Sequence, residues 1–170
     1  MTIIRQKRRR RFYLYFRCWD HQKRSKRLIY IGPEIQIHDQ AVLLIANEYF
    51  QTKETNMITY VNVPARKKAI RLTNGQLVYV DILVVNQQNN RAERIAEVET
   101  VVDDRSIQRW IVASTLAPYL YIYAIHGYGQ KAKKILQDQR IRHMAVFEYH
   151  ISPLGKLIVK PITETGSTSI

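Results

Sequence analysis

Three carboxylates interrupt two otherwise apolar segments of the chain. Asp81 lies in the first segment, and Glu97 and Glu99 lie in the second. Both segments are rich in Val and Ile, which favours strands, and the polar residues 87–91 between them favour a turn. In a hairpin centred on Asn89, Asp81 faces Glu97, and Glu99 follows on the same face. The spacing therefore predicts a cluster of three carboxylates.

Such a cluster needs a cation. Like charges opposite each other on paired strands repel, and burying an unpaired carboxylate is costly. Arg71 or Arg94 could supply an ordinary ion-pair network. Hard oxygen ligands on adjacent strands equally suit Mg²⁺ or Mn²⁺. For any one carboxylate taken alone, a solvated position at a sheet edge is a third possibility. The sequence does not decide between this position, an ion-pair network and a metal site.

The charge of the chain is concentrated at its N-terminus. The 170 residues hold 27 Lys and Arg against 14 Asp and Glu, a net charge of +13. Residues 1–30 contain eleven of the bases and a single acid, Asp20. This distribution is typical of a segment that meets a polyanion. Cys18 is the only cysteine, so neither an intrachain disulfide nor a cysteine-based zinc site is expected. Without a long apolar run or a secretory signal, we expect a cytoplasmic protein with no membrane partner.

The hydrophobic pattern predicts an α/β (α+β) fold with a mixed central β-sheet flanked by helices. An N-terminal hairpin, residues 12–31, precedes the helices and strands of the main domain. Helices are predicted at 39–50, from Asp103 to Pro118 and at 130–140, and strands at 57–63, 69–72, 76–85, 95–100, 120–125, 144–151 and 156–162. Three regions follow: a basic arm and hairpin (1–33), an α/β domain (34–162) and a disordered tail (163–170). The central strands are apolar on both sides, so helices should cover both faces of the sheet.

The order of elements together with the carboxylates resembles the PD-(D/E)XK nuclease superfamily, which has the restriction-endonuclease-like fold. The resemblance covers residues 38–126 and implies that Asp81 and Glu97 bind a divalent ion, Mg²⁺ or Mn²⁺. It also implies that the main-chain carbonyl of Val98 completes the protein ligands. Glu99 stands at the position of the motif lysine, giving an EVET-like third motif. A glutamate there could ligate a second metal or act as a base.

Four other residues are candidates for accessory roles in such a site. Glu48 on the first helix and Gln108 on the second match places where some members carry functional side chains. Lys67 or Lys68 could replace the motif lysine. Solvated or capping positions are the alternative readings for Glu48 and Gln108. The five histidines show no metal-ligand spacing.

The N-terminal bases predict a nucleic-acid contact. They are Arg8, Arg9, Arg10, Arg11, Lys23, Arg24, Lys26 and Arg27, interleaved with aromatic residues. Lys and Arg bind phosphates, and exposed aromatic rings can stack on bases. The rings could instead bury one face of the hairpin. The arm, residues 1–11, is expected to stay unordered without a partner because its charges repel. A Gly-x-Gly pair at 127–129 could likewise hold a phosphate or be a plain turn before a helix.

These observations predict a metal-dependent endonuclease, a hydrolase that cleaves phosphodiester bonds, and they favour DNA over RNA as the nucleic acid it acts on. Cleavage of duplex DNA would favour a homodimer. One alternative is a non-catalytic nucleic-acid-binding protein that retains a nuclease-like fold. Another is a structural protein whose basic arm condenses nucleic acid.

Overall fold

The computed structural model describes the backbone of residues 3–8, 11–20 and 25–31, and backbone and side chains of residues 37–52 and 54–163. The N-terminal part forms an antiparallel sheet in the order β1-β2-β3. Its strands are β1 (Ile3–Arg8), β2 (Arg11–Asp20) and β3 (Ser25–Ile31). Residues 164–170, where a disordered tail is predicted, lie outside the described part of the chain.

The predicted hairpin is confirmed as β2 and β3, but the expectation that the arm stays unordered is wrong. Strand β1 pairs with β2 along its whole length, with Ile3 opposite Phe16 and Ile4 opposite Tyr15. Main-chain pairing with β2 therefore orders residues 3–8, although the charges of the arm repel one another.

Residues 37–52 and 54–163 form three helices and eight strands. They are α1 (Ile37–Tyr49), β4 (Met57–Val61), β5 (Ile70–Arg71), β6 (Leu77–Val78), β7 (Ile82–Asn86), β8 (Arg91–Glu99), α2 (Asp104–Ser114), β9 (Tyr119–Ile125), α3 (Gly129–Asp138), β10 (Met144–Ile151) and β11 (Leu157–Pro161). A six-stranded sheet has the order β11-β10-β9-β8-β7-β4. β8, β9 and β10 run parallel, and the other pairs are antiparallel. The predicted mixed α/β architecture is confirmed.

Helices cover both faces of this sheet, as the apolar strands predicted. On one face α1 packs against Ile82, Val84, Ala96 and Val98. On the other face α2 and α3 pack against the residues that alternate with these, including Leu83 and Ile95. Side chains alternate along a strand, so Glu97 and Glu99 belong to the face that α2 covers, whereas Asp81 lies just before the start of β7.

The segment 76–85, predicted as one strand, is interrupted just before Asp81. Its first part, β6, pairs only with β5 in a separate two-stranded sheet, and the six-stranded sheet resumes at β7. Asn62 takes over the hydrogen bonding at the break. Its main-chain N–H donates to the Asp81 carbonyl (2.9 Å), and its side-chain Nδ2 donates to the Val80 carbonyl (2.7 Å). These two hydrogen bonds from Asn62 therefore fix the position of the backbone at Asp81.

The same asparagine holds the loop that follows β4. Asn62 Oδ1 accepts hydrogen bonds from the main-chain N–H groups of Lys67 (2.8 Å) and Lys68 (2.9 Å), and Nδ2 also donates to the Lys68 carbonyl (2.8 Å). Both donors and both acceptor sites of the amide are thus used. The side chain is buried, so water cannot replace these partners.

Asn62→Ala is expected to lower the free energy of unfolding by about 3 kcal/mol, because it leaves several main-chain groups without partners. Urea denaturation measures this loss. Asn74→Ala is the matched control, since Asn74 is exposed and accepts one turn hydrogen bond from Gln76. It should cost about 0.5 kcal/mol. Equal losses in the two variants would contradict a structural role for Asn62.

Candidate active site

Asp81 and Glu97 lie side by side at one end of strands β7 and β8. Ile82 is the partner of Ala96, so one further step along the antiparallel pair sets Asp81 opposite Glu97. This is the register that the sequence predicts. A bulge between Val84 and Val85 shifts the register only toward the turn. The two carboxylates are within hydrogen-bonding reach of each other.

Asp81 is held from two directions. Its Oδ2 accepts a hydrogen bond from the main-chain N–H of Val98 (2.8 Å) and lies 3.3 Å from Nε2 of His38. The other ring nitrogen of His38 lies 3.0 Å from Oδ1 of Asp39. The hydrogen bond to Asp81 outweighs burial and raises the pKa of His38 to about 9. At neutral pH the ring is therefore a cation that contacts both aspartates.

Glu97 is almost completely buried, with 3% of its surface exposed. Burial, and then the negative charge of Asp81, raise the pKa of Glu97 well above its usual range, although the Arg109 guanidinium opposes this. Nε of Arg109 lies 3.8 Å from Oε2 of Glu97. The charged form of Glu97 is therefore disfavoured, and a bound cation would stabilise it.

Glu99 is bound into a different network, on α2. Nη2 of Arg109 donates to both carboxylate oxygens (2.5 and 2.7 Å), Nε1 of Trp110 donates to Oε1 (2.9 Å), and Oγ of Ser106 donates to Oε2 (3.1 Å). Asp103 is the N-terminal cap of this helix and forms a capping box with Ser106. These contacts make Glu99 the anchor of Arg109, a different task from the metal ligand or base expected from the sequence.

A cleft of about 360 Å³ opens beside the carboxylates. Glu97, Gln108, Arg109 and Arg66 line it, and the Arg66 guanidinium lies 4.8 Å from the centre of the Tyr79 ring. Two guanidinium groups therefore flank a buried carboxylate at a surface that a ligand can reach. If a metal cation bound at Glu97, an anion in the cleft could contact this cation on one side and Arg66 and Arg109 on the other.

The structure brings one of the four accessory candidates to this cleft. Gln108 lines it, but Glu48 is exposed near the last turn of α1. Ten residues separate Glu48 from His38, or about 15 Å along a helix. Lys67 is exposed, and Nζ of Lys68 lies 5.5 Å from the centre of the Tyr60 ring. In the described contacts neither lysine reaches the carboxylates.

The ion-pair alternative is realised in part, but by a residue that the sequence reasoning missed. Arg94 pairs with Glu54 (3.5 Å), and Arg71 lines a different cavity. Arg109 is the cation at the carboxylates. Its place on α2, three residues after Ser106 and next to Trp110, is the helical spacing that could have revealed it. His38 had no comparable signal, because only the packing of α1 brings it to Asp81.

The predicted nucleic-acid contact of the N-terminal bases stays a prediction. Arg8, Arg11, Lys26 and Arg27 lie in strands of which only the backbone is described. Four more, Arg9, Arg10, Lys23 and Arg24, lie outside the described residues.

The Gly-x-Gly segment is a turn whose N–H groups are already occupied. The carboxylate of Glu148 accepts hydrogen bonds from the main-chain N–H groups of Gly127 (3.1 Å) and Gly129 (2.9 Å), and lies 3.1 Å from Nδ1 of His126. Gly127 has a φ of 91°, which favours glycine. A methyl group at Gly129 would collide with Glu148 and Ile162. The chain's own carboxylate thus stands where a phosphate was considered.

Clusters of three or more metal-ligating side chains and membrane-spanning helices are both absent from the described residues. Over residues 37–52 and 54–163 no group of three or more His, Cys, Asp or Glu side chains is arranged to hold a metal ion. In the same part of the chain no helix combines the length and apolar character needed to cross a membrane.

Comparison with known proteins adds structural similarity alone. No protein-family model matches the chain, and no curated protein matches it. The chain is similar to the solved YaeQ protein of Xanthomonas axonopodis pv. citri, with 12% identity over 97% of this chain and 92% of that chain and a TM-score of 0.45. It is also similar to the YaeQ protein of Pseudomonas syringae, with 12% identity, 86% of each chain covered and a TM-score of 0.37. Function is therefore argued from the site itself.

Glu99→Gln is expected to lower the free energy of unfolding by about 2 kcal/mol, because an amide confronts the Arg109 and Trp110 donors with a donor of its own. Guanidinium denaturation measures the change. Glu54→Gln is the control, since it breaks the more exposed ion pair with Arg94 and should cost less than about 0.5 kcal/mol. A loss at Glu99 no larger than at Glu54 would exclude an anchoring role.

Glu148→Gln is expected to lower the free energy of unfolding at pH 7 by about 1 kcal/mol, as for loss of a helix N-terminal cap. Despite its burial, the hydrogen bonds from Gly129, His126 and Gly127 lower the pKa of Glu148 from 4.5. A depressed pKa stabilises the folded state above the unfolded-state value, and this stability is lost as the pH falls through the folded-state value.

The difference between wild type and Glu148→Gln should therefore shrink as the pH falls below 4.5, in denaturation curves recorded across that range. Asp138→Asn changes the same charge at an exposed position near the end of α3 and should not reproduce this pH dependence. A difference that stays constant with pH would show that the carboxylate charge is unimportant.

Proposed function

We propose that this protein is a metal-dependent nuclease that hydrolyses DNA phosphodiester bonds, with Mg²⁺ or Mn²⁺ as its cofactor. The observation that carries the proposal is the pair Asp81–Glu97, of which the buried Glu97 lines a cleft together with Arg66 and Arg109. The pair occupies the two acidic positions of the PD-(D/E)XK pattern that the sequence resembles.

The donor set around the pair fits such an ion. Asp81 and Glu97 supply two carboxylates. The Val98 N–H points at Asp81, and in an extended strand the carbonyl of the same residue points to the same side. Mg²⁺ is commonly bound by one or two carboxylates, with water and substrate phosphate oxygens in the remaining positions. Two carboxylates and one carbonyl therefore suffice, although no cluster of three acidic or histidine side chains is found among the described residues.

The surrounding residues would position the substrate and the ligands. His38 holds Asp81 by hydrogen bonding, and Glu99 holds Arg109 against Glu97. Arg109 and Arg66 would contact the oxygens of the scissile phosphate in the cleft. A metal ion bound there would polarise the phosphate and make water a better nucleophile. Arg109 thus supplies, from α2, the positive charge that the motif lysine supplies from the strand.

DNA is the proposed partner because of charge. The net charge of +13 is carried largely by residues 1–30, which would clamp the phosphate backbone. Cleavage of both strands of a duplex would need two sites, which a homodimer provides. A cytoplasmic location is part of the same proposal.

Asp81→Asn and Glu97→Gln are each expected to reduce Mn²⁺- or Mg²⁺-dependent cleavage by about 100-fold or more, while DNA binding persists. The amide variants are chosen because each keeps the shape of the side chain that it replaces, and because burial already disfavours the charged form of Glu97. Cleavage is measured on duplex, single-stranded, flap and junction DNA and on RNA. Glu54→Gln, away from the site, is the activity control.

Calorimetric titration with Mn²⁺ tests the site without relying on turnover. Binding should be seen with the wild type and Glu54→Gln and be lost in Asp81→Asn. Full cleavage by either site variant would sink the assignment.

A second function is favoured by one specific observation, the complete pairing of Glu99 with Arg109, Trp110 and Ser106. A nucleic-acid-binding protein that retains the nuclease-like architecture would need these groups only for stability. It would bind DNA and show no Mn²⁺ binding that depends on Asp81.

A further inference from the structure

We propose that a second cavity, on the same face of the sheet as α2, binds a nucleoside phosphate. The cavity has a volume of about 700 Å³, within the range of small-molecule sites. It lies among three parts of the fold: the β5–β6 hairpin, the turn end of strands β7 and β8, and the residues that follow α2.

This cavity is separate from the carboxylate cleft. Val85 and Ala92 line it, whereas Asp81 and Glu97 lie at the opposite end of the same two strands. Five residues along β8 separate Ala92 from Glu97, or about 16 Å. The β5–β6 hairpin contributes to both sites, with Arg71 here and Leu77 at the cleft. The inference uses neither carboxylate and does not depend on the proposed nuclease activity.

The charges of the lining favour an anion. Lys68, Arg71 and Arg91 provide three cations, and Glu93 provides the single acid. Among the described residues neither Arg71 nor Arg91 forms a salt bridge, and both are exposed. Uncompensated arginines at the mouth of a cavity are suited to the oxygens of a phosphate, which they bind through paired hydrogen bonds.

The remaining surface favours a flat, partly apolar body attached to that phosphate. The buried side chains Leu83 and Val85 form part of the wall, and Ile70 and Ala117 add further apolar surface. Asn90, in the turn between β7 and β8, adds an amide that can pair with the edge of a base. A nucleobase, a sugar and a phosphate together satisfy the apolar wall, the amide and the cations.

The test uses adenosine 5′-monophosphate and adenosine as probes, with the full-length protein and calorimetry in the absence of divalent metal. The monophosphate should bind at least tenfold more tightly than adenosine. Arg71→Gln/Arg91→Gln should lower its affinity at least tenfold, and so should Ala117→Phe, which fills the cavity without changing the charge. Arg142→Gln, at an exposed position elsewhere, and Asp81→Asn should stay within twofold of the wild type.

Two competition arms separate a free nucleotide from a unit of a strand. A single-stranded oligonucleotide that displaces the monophosphate in Arg142→Gln, and no longer does so in Ala117→Phe, identifies the strand. Failure to displace identifies the free nucleotide. The inference is overturned if adenosine and its monophosphate bind equally, if neither binds, or if the double variant and Ala117→Phe bind as the wild type does.

Discussion

The repulsion among three carboxylates at one end of strands β7 and β8 is the constraint on which this end of the molecule depends. Glu97 and Glu99 are almost fully buried, so solvent cannot screen them. Arg109 compensates Glu99, and the His38 cation compensates Asp81. The charge of Glu97 is less well compensated: Nε of Arg109 lies 3.8 Å away, and burial, followed by the charge of Asp81, raises the pKa of Glu97 well above its usual range. An added cation would therefore stabilise the charged form of Glu97.

Two devices of the backbone make that arrangement possible. The first is the strand break before β7, where Asn62 hydrogen-bonds to the main chain of Asp81. At this break the Val98 N–H donates to the side chain of Asp81. In a continuous pair of strands it would donate to a main-chain carbonyl instead. The capping box at Asp103 starts α2 directly after β8, so that Ser106, Arg109 and Trp110 all face Glu99. In each case a local hydrogen-bonding motif determines where a charged group stands. The positions of the charged groups therefore depend on Asn62 and Asp103, which act only through hydrogen bonds to the main chain and to neighbouring side chains.

The parts of the site that could be predicted from sequence are those governed by a fixed period. Alternation along strands and the turn between them were enough to set Asp81 opposite Glu97, and the bulge lies too far along to disturb this pairing. The partners supplied by packing could not be predicted. His38 lies 43 residues from Asp81, and Glu148 lies 21 residues from the Gly127 N–H that it accepts. The interruption of residues 76–85 was missed for the same reason, since the side chain that replaces the strand partner comes from Asn62.

Glu99, which stands where the PD-(D/E)XK pattern that the sequence resembles has a lysine, affects the site through Arg109. A lysine on the strand would add one positive charge beside Glu97. Glu99 adds a negative charge, but it brings with it a guanidinium that lies 3.8 Å from Glu97 and is half exposed toward the cleft. The net positive charge next to Glu97 is therefore smaller than a lysine would provide. The Arg109 guanidinium is, however, held in one orientation by two hydrogen bonds to the Glu99 carboxylate. In the proposed nuclease, glutamate in place of the motif lysine therefore gives less positive charge at Glu97 but a cation with a fixed orientation. A substitution of Glu99 would leave Arg109 without its anchor, and a substitution of Arg109 would leave Glu99 buried without its cation.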